Sequence, residues 1–315
     1  MTTTTGTGLR ALAAATDGGK RGACLFALDA HGSLSFTAQE QAGGFWRLWQ
    51  GPSFGGQPVP GAALAVAGQN DGQLMLAMLD SGGQVRTLPQ RKAGGGWAGW
   101  GGPGIASQPR PFTALAAGQL SGPRGIALMA SDADGQVWLC YQMNPGGAWS
   151  GWTTGLATAS GGQAFAAGPL ALADQGNGAL ILFALSAGKV AALPQRPDAL
   201  WGPWSGLGLA DQPADFTALC ACRDGRSGAR LWTLDAKGQV WTLAQQGAGG
   251  PWGGWQQAPF AHAPGPFVRL AAAGQNDGAV TLLAAGDKGD VWAIAETAPG
   301  GGWGKWRQLP PLPPT

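Results

Sequence analysis

Six Trp-x-x-Trp pairs recur along this chain at almost constant spacing: Trp46/Trp49, Trp97/Trp100, Trp149/Trp152, Trp201/Trp204, Trp252/Trp255 and Trp303/Trp306. Their first members stand 51, 52, 52, 51 and 51 residues apart, and the pairs hold twelve of the 16 tryptophans. A fixed period of about 50 residues marks an array of one supersecondary unit, each copy burying its apolar faces against its neighbours. Six copies are expected, over residues 9–60, 61–111, 112–163, 164–215, 216–266 and 267–309. They form one domain over 1–315, where length alone would allow two.

The third copy shows the unit most plainly. Phe112–Gly118, Gly125–Ala130, Gln136–Gln142 and Ala148–Thr153 are short runs of β-branched, aromatic and small apolar residues, each bounded by Gly, Asp, Asn or Pro. Such runs read as strands. No stretch keeps a helical period over ten residues, so helix is expected to be nearly absent. Between the second and third runs a turn recurs as Asp29–Gly32, Asp80–Gly83, Asp132–Gly135 and Asp235–Gly238, with Ser186–Gly188 in the fourth copy and Gly289 in the glycine place of the sixth. Asp accepts backbone N–H bonds at the start of a tight turn and Gly supplies positive φ at its end. This is hairpin chemistry, without the spacing of a calcium loop.

Four short antiparallel strands repeated six times describe an all-β, six-bladed β-propeller with four antiparallel strands per blade. Alternation along a strand puts positions i and i+3 on opposite faces. The two Trp of a pair are therefore expected to face different neighbours, most of the twelve as packing between blades. The Pro-rich linkers Gly51–Pro60, Gly101–Pro111, Gly155–Gln163, Gly206–Pro213 and Ala258–Pro266 would carry the chain from the outside of one blade to the inside of the next. Thr2–Thr7 could supply a strand shared between the termini.

Gly and Pro make up 80 of the 315 residues, close to the range of low-complexity chains. Disordered chains lack bulky apolar residues, whereas this one is 44% hydrophobic. Only 11% of residues are charged and the net charge is +2, with no basic stripe to follow a nucleic acid. No apolar run reaches the roughly 18 residues of a membrane span. The opening MTTTTGTGLRALAAAT has no basic segment followed by a long apolar one, so the sequence predicts cytoplasmic synthesis without a signal peptide, any release being by a non-classical route. Cys24, Cys140, Cys220 and Cys222 do not follow the repeat and read as small buried residues rather than a disulfide framework; Cys220 and Cys222 would share a strand face.

Positions that vary within the repeating frame carry the functional reading. Three copies place a further Trp after the third-strand Val: Trp138, Trp241 and Trp292; Ser35, Arg86 and Ala191 stand there in the others. Four residues on, a polar residue recurs as Gln39, Gln90, Gln142, Gln195, Gln245 and Glu296. An indole face beside an amide or carboxylate suits a sugar, whose C–H face stacks on the ring while its hydroxyls bond to the polar group. The same Gln could instead satisfy backbone groups at a strand edge, and both readings stand at this point. Enzyme chemistry has little to draw on: two Glu, one Tyr, two His, and no nucleophile elbow, phosphate loop or metal motif. His31 falls in a turn and His262 in a linker. No cofactor or metal is expected.

GQVWLCYQMNPGGAWSGW (Gly135–Trp152) and GDVWAIAETAPGGGWGKW (Gly289–Trp306) resemble the repeat of bacterial β-propeller lectins, the fucose-binding propeller lectin family. That repeat carries a turn Gly, a Trp in the third strand, an aromatic–Gln step and then P-x-G-G-W-x-G-W. A looser likeness extends to tectonin and tachylectin repeats. The resemblance covers residues 9–309 and implies a non-catalytic ring binding glycans, fucosylated or O-methylated, between adjacent blades. The chain departs from that pattern: those lectins more often have seven blades, and the aromatic before the Gln survives only as Tyr141. Fewer than six working sites are therefore expected, centred on the third, fifth and sixth copies. The candidate carbohydrate-binding residues are Trp138, Tyr141, Gln142, Trp152, Trp241, Gln245, Trp255, Trp292, Glu296 and Trp306, with several weak sites reinforcing one another. The alternative is a propeller platform for a peptide or partner protein; an enzyme in the central channel is a third. The sequence leaves homo-oligomers open.

Overall fold

A computed structural model of the chain describes residues 8–19, 22–51, 54–101, 105, 108–154, 168–196, 200–204, 211–226, 228–260 and 262–314. Thr2–Thr7 and much of the linkers after the third and fourth copies lie outside them. The described residues are all β, with no helix. Each copy makes one antiparallel sheet in chain order. The sheets are β1 (Ala11–Thr16), β2 (Ala23–Leu28), β3 (Leu34–Ala38); β4 (Gly61–Gly68), β5 (Leu74–Asp80), β6 (Val85–Pro89); β7 (Phe112–Gln119), β8 (Ile126–Asp132), β9 (Val137–Tyr141). Then follow β10 (Leu170–Asp174), β11 (Leu180–Ser186), β12 (Lys189–Pro194); β13 (Phe216–Asp224), β14 (Gly228–Asp235), β15 (Val240–Ala244), β16 (Gln256–Gln257); and β17 (Phe267–Gly274), β18 (Val280–Gly286), β19 (Val291–Ala295), β20 (Arg307–Gln308).

The first strands touch one another in the cyclic order β1, β4, β7, β10, β13, β17 and back to β1. Leu12, Leu64, Leu115, Leu170, Leu219 and Leu270, one from each, line a common narrow channel. Second strands lie between two neighbouring sheets and are buried on both faces, as in ACLFAL of β2 and LMLAMLD of β5. This is why they read as unbroken apolar runs rather than alternating ones. Apolar clusters join each sheet to the next: Phe26 and Leu34 of the first with Leu74 and Leu88 of the second, and so on to Leu283 and Val291 of the sixth with Leu9 and Leu25 of the first. Burying each Leu or Phe contributes about 1.5–3 kcal/mol.

The hairpin turns follow the sequence. Asp132 Oδ1 accepts N–H bonds from Asp134 and Gln136, both at 3.0 Å, and Gly135 has φ +77°. At Gly83, φ is +73° and a Cβ would stand 2.6 Å from the Phe112 carbonyl oxygen. The turn therefore needs glycine twice over, for its dihedral and for the approach of the next sheet.

Two expectations are corrected. The sheets carry three strands in copies one to four and four in copies five and six, not four throughout. The Trp-bearing segment joins the third strand mostly through isolated bridges. In the third copy Gln142 pairs with Trp149 and Leu139 with Thr153: three steps along one chain oppose four along the other. The same offset occurs at Gln39/Trp46 with Phe36/Gln50, and at Gln90/Trp97 with Thr87/Gly101. One extra residue in each of these copies makes a β-bulge, and it also overturns the assignment of the Trp pairs to different faces. The bulge restores parity, so both members pack against the same cluster, between their own sheet and the preceding one: Trp97 and Trp100, Trp149 and Trp152, Trp303 and Trp306.

Candidate functional site

The recurring polar residue acts in the scaffold in every copy. Side-chain oxygens of Gln39, Gln90, Gln142, Gln195 and Gln245 accept the N–H of Ala23, Leu74, Ile126, Leu180 and Ala229, at 2.9, 2.9, 3.4, 3.1 and 2.9 Å. Glu296 accepts from Val280 at 3.0 Å. All six are buried. Of the two readings left open, the backbone duty is the one these oxygens perform.

The third-strand indoles are half-buried and tied to the hairpin turns. Trp138 Nε1 donates to Asp132 Oδ2 at 3.0 Å and Trp241 Nε1 to Asp235 Oδ2 at 3.2 Å. Trp292 reaches Asp290 at 2.6 Å, and Arg86 meets Asp80 at 3.3 Å in the same place of the second copy. An Asp six residues ahead of the Trp in the third and fifth copies was the visible signal for this lock. Trp152, Trp255 and Trp306 pack on Phe112, Phe216 and Phe267 at ring separations of 4.7, 4.9 and 4.9 Å. Their indole N–H groups are buried without a partner. Tyr141 lies under the Arg124 guanidinium at 4.8 Å. The ten candidates are thus distributed over separate interfaces: Trp138 with Trp152 between sheets two and three, Trp241 with Trp255 between sheets four and five, and Trp292 with Trp306 between sheets five and six, where Glu296 borders a cavity.

At that interface lies a residue the sequence reading passed over. Arg230 sits in β14 opposite Ala244. The equivalent positions hold Cys24, Met75, Ala127, Ile181 and Thr281, so this cation is unique among the second strands. Its Nη2 bonds to Asp224 Oδ2 at 2.8 Å and its Nη1 to Glu296 Oε1 at 2.9 Å. Glu296 Oε2 is held by the N–H groups of Val280 and Gly300, at 3.0 and 3.2 Å. The guanidinium also stands 5.8 Å from the Trp232 ring. Its Nε is buried with no partner.

Arg230 and Glu296 border a cavity of about 270 Å³ walled by Trp232, Thr242, Gln256, Phe260 and Trp303. Phe260 meets Trp303 and Trp306 edge-on, at 4.9 and 5.3 Å. Two arms of the guanidinium are fixed by acids, and Nε is its one nitrogen without a partner. The aromatic walls offer an apolar face. Two carboxylates around one guanidinium leave one negative charge in excess, which disfavours an anionic ligand. In the fourth-to-fifth interface the corresponding contact is uncharged, Gln245 Nε2 to Gln175 Oε1 at 3.1 Å. Among the described residues no cluster of His, Cys, Asp or Glu is placed to hold a metal, and no helix is long and apolar enough to cross a membrane.

Cys24, Cys140 and Cys220 are buried as expected, whereas Cys222 is only half-buried. Cys220 and Cys222 both face the cluster between sheets five and six. His31 and His262 are exposed.

No family model matches the chain, and no curated protein sequence matches it. Solved structures do. The lectin of Aleuria aurantia, described as a fungal lectin with a six-bladed β-propeller fold and a novel fucose recognition mode, aligns with TM-score 0.65 at 16% identity, over 98% of this chain and 97% of its own. SapL1 lectin in complex with alpha methyl fucoside aligns with TM-score 0.63 at 17% identity, over 98% of both chains. BP39L lectin from Burkholderia pseudomallei gives TM-score 0.61 at 16% identity, over 96% of this chain and 84% of its own. The likeness is one of fold: the six sheets are arranged as in six-bladed β-propellers. The three solved proteins are lectins, in keeping with the family resemblance of the repeats.

Proposed function

We propose that the chain is a carbohydrate-binding lectin, a single closed ring of six blades whose principal site is the cleft between blades five and six. The unmade, buried Nε–H of Arg230 carries this reading, because a buried donor left without a partner costs about 1–3 kcal/mol that a ligand oxygen would recover. Asp224 and Glu296 fix the guanidinium in advance, which lowers the ordering cost of binding. Phe260 and Trp303 present ring faces and edges to the C–H groups of a sugar. Two of the solved lectins similar in fold are described with fucose recognition or with a bound fucoside, and a neutral deoxy sugar suits a cleft with an unpaired donor, aromatic walls and an excess negative charge.

Trp292, Glu296 and Trp306 serve this cleft as its supports. Trp138, Tyr141, Gln142 and Trp152 in the third copy, and Trp241, Gln245 and Trp255 in the fifth, supply aromatic and amide surface without a buried arginine, so their contribution to a multivalent ring is the weaker one. A glycan array, repeated with free methyl α-fucoside as competitor, tests the reading. Binding to fucosylated glycans that the competitor removes supports it. Folded protein that binds no glycan on the array overturns it.

A further inference from the structure

Three linkers share a bonding pattern that the last copy lacks. Gln57, eight residues after Trp49, accepts the Leu34 N–H at 2.7 Å and donates to the Gly32 carbonyl at 2.6 Å. Gln108, eight after Trp100, does the same with Val85 and Gly83, at 3.0 and 2.6 Å. Gln212, eight after Trp204, repeats it with Val190 and Gly188, at 3.0 and 2.6 Å. In each, one carboxamide joins an N–H at the start of the third strand to the glycine carbonyl of the hairpin turn. The amide nitrogen also donates to the carbonyl two residues on, in Val59, Arg110 and Ala214 at 2.7, 2.6 and 2.6 Å, which fixes the bend of the Gln-Pro step.

In the sixth copy the eighth residue after Trp306 is Pro314, which has no carboxamide. The two backbone groups have their counterparts in the Val291 N–H and the Gly289 carbonyl. Because the Gly286 N–H bonds the Asp290 carbonyl at 3.0 Å, the alternation of an antiparallel ladder turns the Val291 N–H away from β18. Neither group has a partner among the described residues. Both belong to the wall of a groove of about 420 Å³, closed by Leu9 and residues 29–31 of the first copy and rimmed by residues 310–314. The rim is held in place: Trp49 Nε1 donates to the Pro310 carbonyl at 2.8 Å, and Leu312 packs on the cluster between the sixth and first sheets. A donor and an acceptor therefore stand unmade where a primary amide fills both in three other copies, and such groups call for an outside partner.

The three Gln-Pro steps of this chain are all engaged in their own linkers, and residues 1–7 contain neither Gln nor Asn. We infer that the groove docks a partner protein through an extended Gln-Pro segment, its carboxamide bridging Val291 N–H and Gly289 carbonyl as Gln57 bridges Leu34 and Gly32. Proline holds such a segment extended before it binds, which lowers the ordering cost. Asp29 and Asp290 outnumber Lys288 on the walls, so a neutral or basic segment is favoured over an acidic one. The site lies apart from the cleft of Arg230 and does not depend on the lectin reading.

The recognising groups are backbone, so the peptide is varied rather than the protein, and no variant has to fold. Acetyl-Gln-Pro-Val-Pro-Gly-amide, the sequence of residues 57–61, is titrated into isotope-labelled protein and followed by amide NMR, with peptides carrying Leu or Glu in place of Gln as controls. The Val291 and Asp290 amide signals are expected to shift to saturation with the Gln peptide. The Leu and Glu peptides should bind about tenfold more weakly or worse, having lost the paired hydrogen bonds. Excess methyl α-fucoside should leave the Gln peptide bound, whether or not the sugar itself binds elsewhere on the ring. Signals that stay unmoved at millimolar Gln peptide overturn the inference. So does a Leu peptide of equal affinity, which would mean an apolar groove without amide recognition, or displacement of the peptide by the sugar.

Discussion

Arg230 is held between two acids that are almost wholly buried, the Asp224 and Glu296 side chains each being 1% exposed. Arg230→Met installs the residue found at the equivalent place of the second copy, Met75, and leaves both carboxylates without their cation. Removing one partner of a buried ion pair costs about 3–5 kcal/mol; at roughly 2–4 °C per kcal/mol for large domains, the melting temperature should fall by about 10 °C. The triple variant Asp224→Gln, Arg230→Met, Glu296→Gln removes all three charges together. It recreates the amide pair of the fourth-to-fifth interface, where Gln245 meets Gln175 at 3.1 Å. Charge networks exchanged as a unit for neutral groups are tolerated, so its stability should return to within about 1–2 kcal/mol of the parent. Sugar binding at this cleft should stay lost, because the Nε donor is gone. Thermal unfolding and titration with methyl α-fucoside on the three proteins provide the readouts. A single variant as stable as the parent, or a triple variant that still binds at this cleft, would refute the reasoning.

Three further outcomes are expected. Gln245→Leu leaves the Ala229 N–H, now bonded at 2.9 Å, buried and unpaired, and should cost about 1–3 kcal/mol in denaturant titration; an unchanged midpoint would mean that water replaces the amide. Gly83→Ala meets a positive φ and a carbonyl 2.6 Å from the new Cβ, and should destabilise by more than the about 1 kcal/mol of an unstrained Gly–Ala exchange. Burial pushes the Cys140 thiol up to about 11, against a smaller lowering by the Ser150 hydroxyl. It is therefore neutral at pH 8 and should resist iodoacetamide in the folded protein, reacting only on unfolding; rapid alkylation under native conditions would contradict its placement.

The period of the Trp pairs and the Asp–Gly turns made the six-unit, all-β plan legible, because each turn's chemistry is local and written in adjacent residues. The side on which each Trp falls was not legible. It depends on one extra residue opposite Leu139–Gln142 and its counterparts, and a bulge leaves no mark in an alternation pattern that Gly and Ser already blur. The fourth strands were overestimated for the same reason. The recurring Gln was found correctly, but its partner, the first N–H of the second strand, lies 15 or 16 residues away and emerges only when the strands are paired.

Linker glutamines were missed altogether. Gln57, Gln108 and Gln212 each accept an N–H at the start of a third strand, from Leu34, Val85 and Val190 at 2.7, 3.0 and 3.0 Å. Each precedes a Pro, so a Gln-Pro step in three linkers was the available signal. Arg230 was also visible as the lone cation in the apolar GARLWTLD. Its meaning came only from the two acids that fold brings to it from β13 and from beyond β19.

The most direct test of the central claim is a crystal structure of the protein with methyl α-fucoside. The account predicts sugar in the cleft between the fifth and sixth blades, with an oxygen within hydrogen-bond distance of Arg230 Nε and the ring against Phe260 or Trp303. A fully occupied sugar elsewhere on the ring, with Arg230 Nε still unpaired, would contradict it.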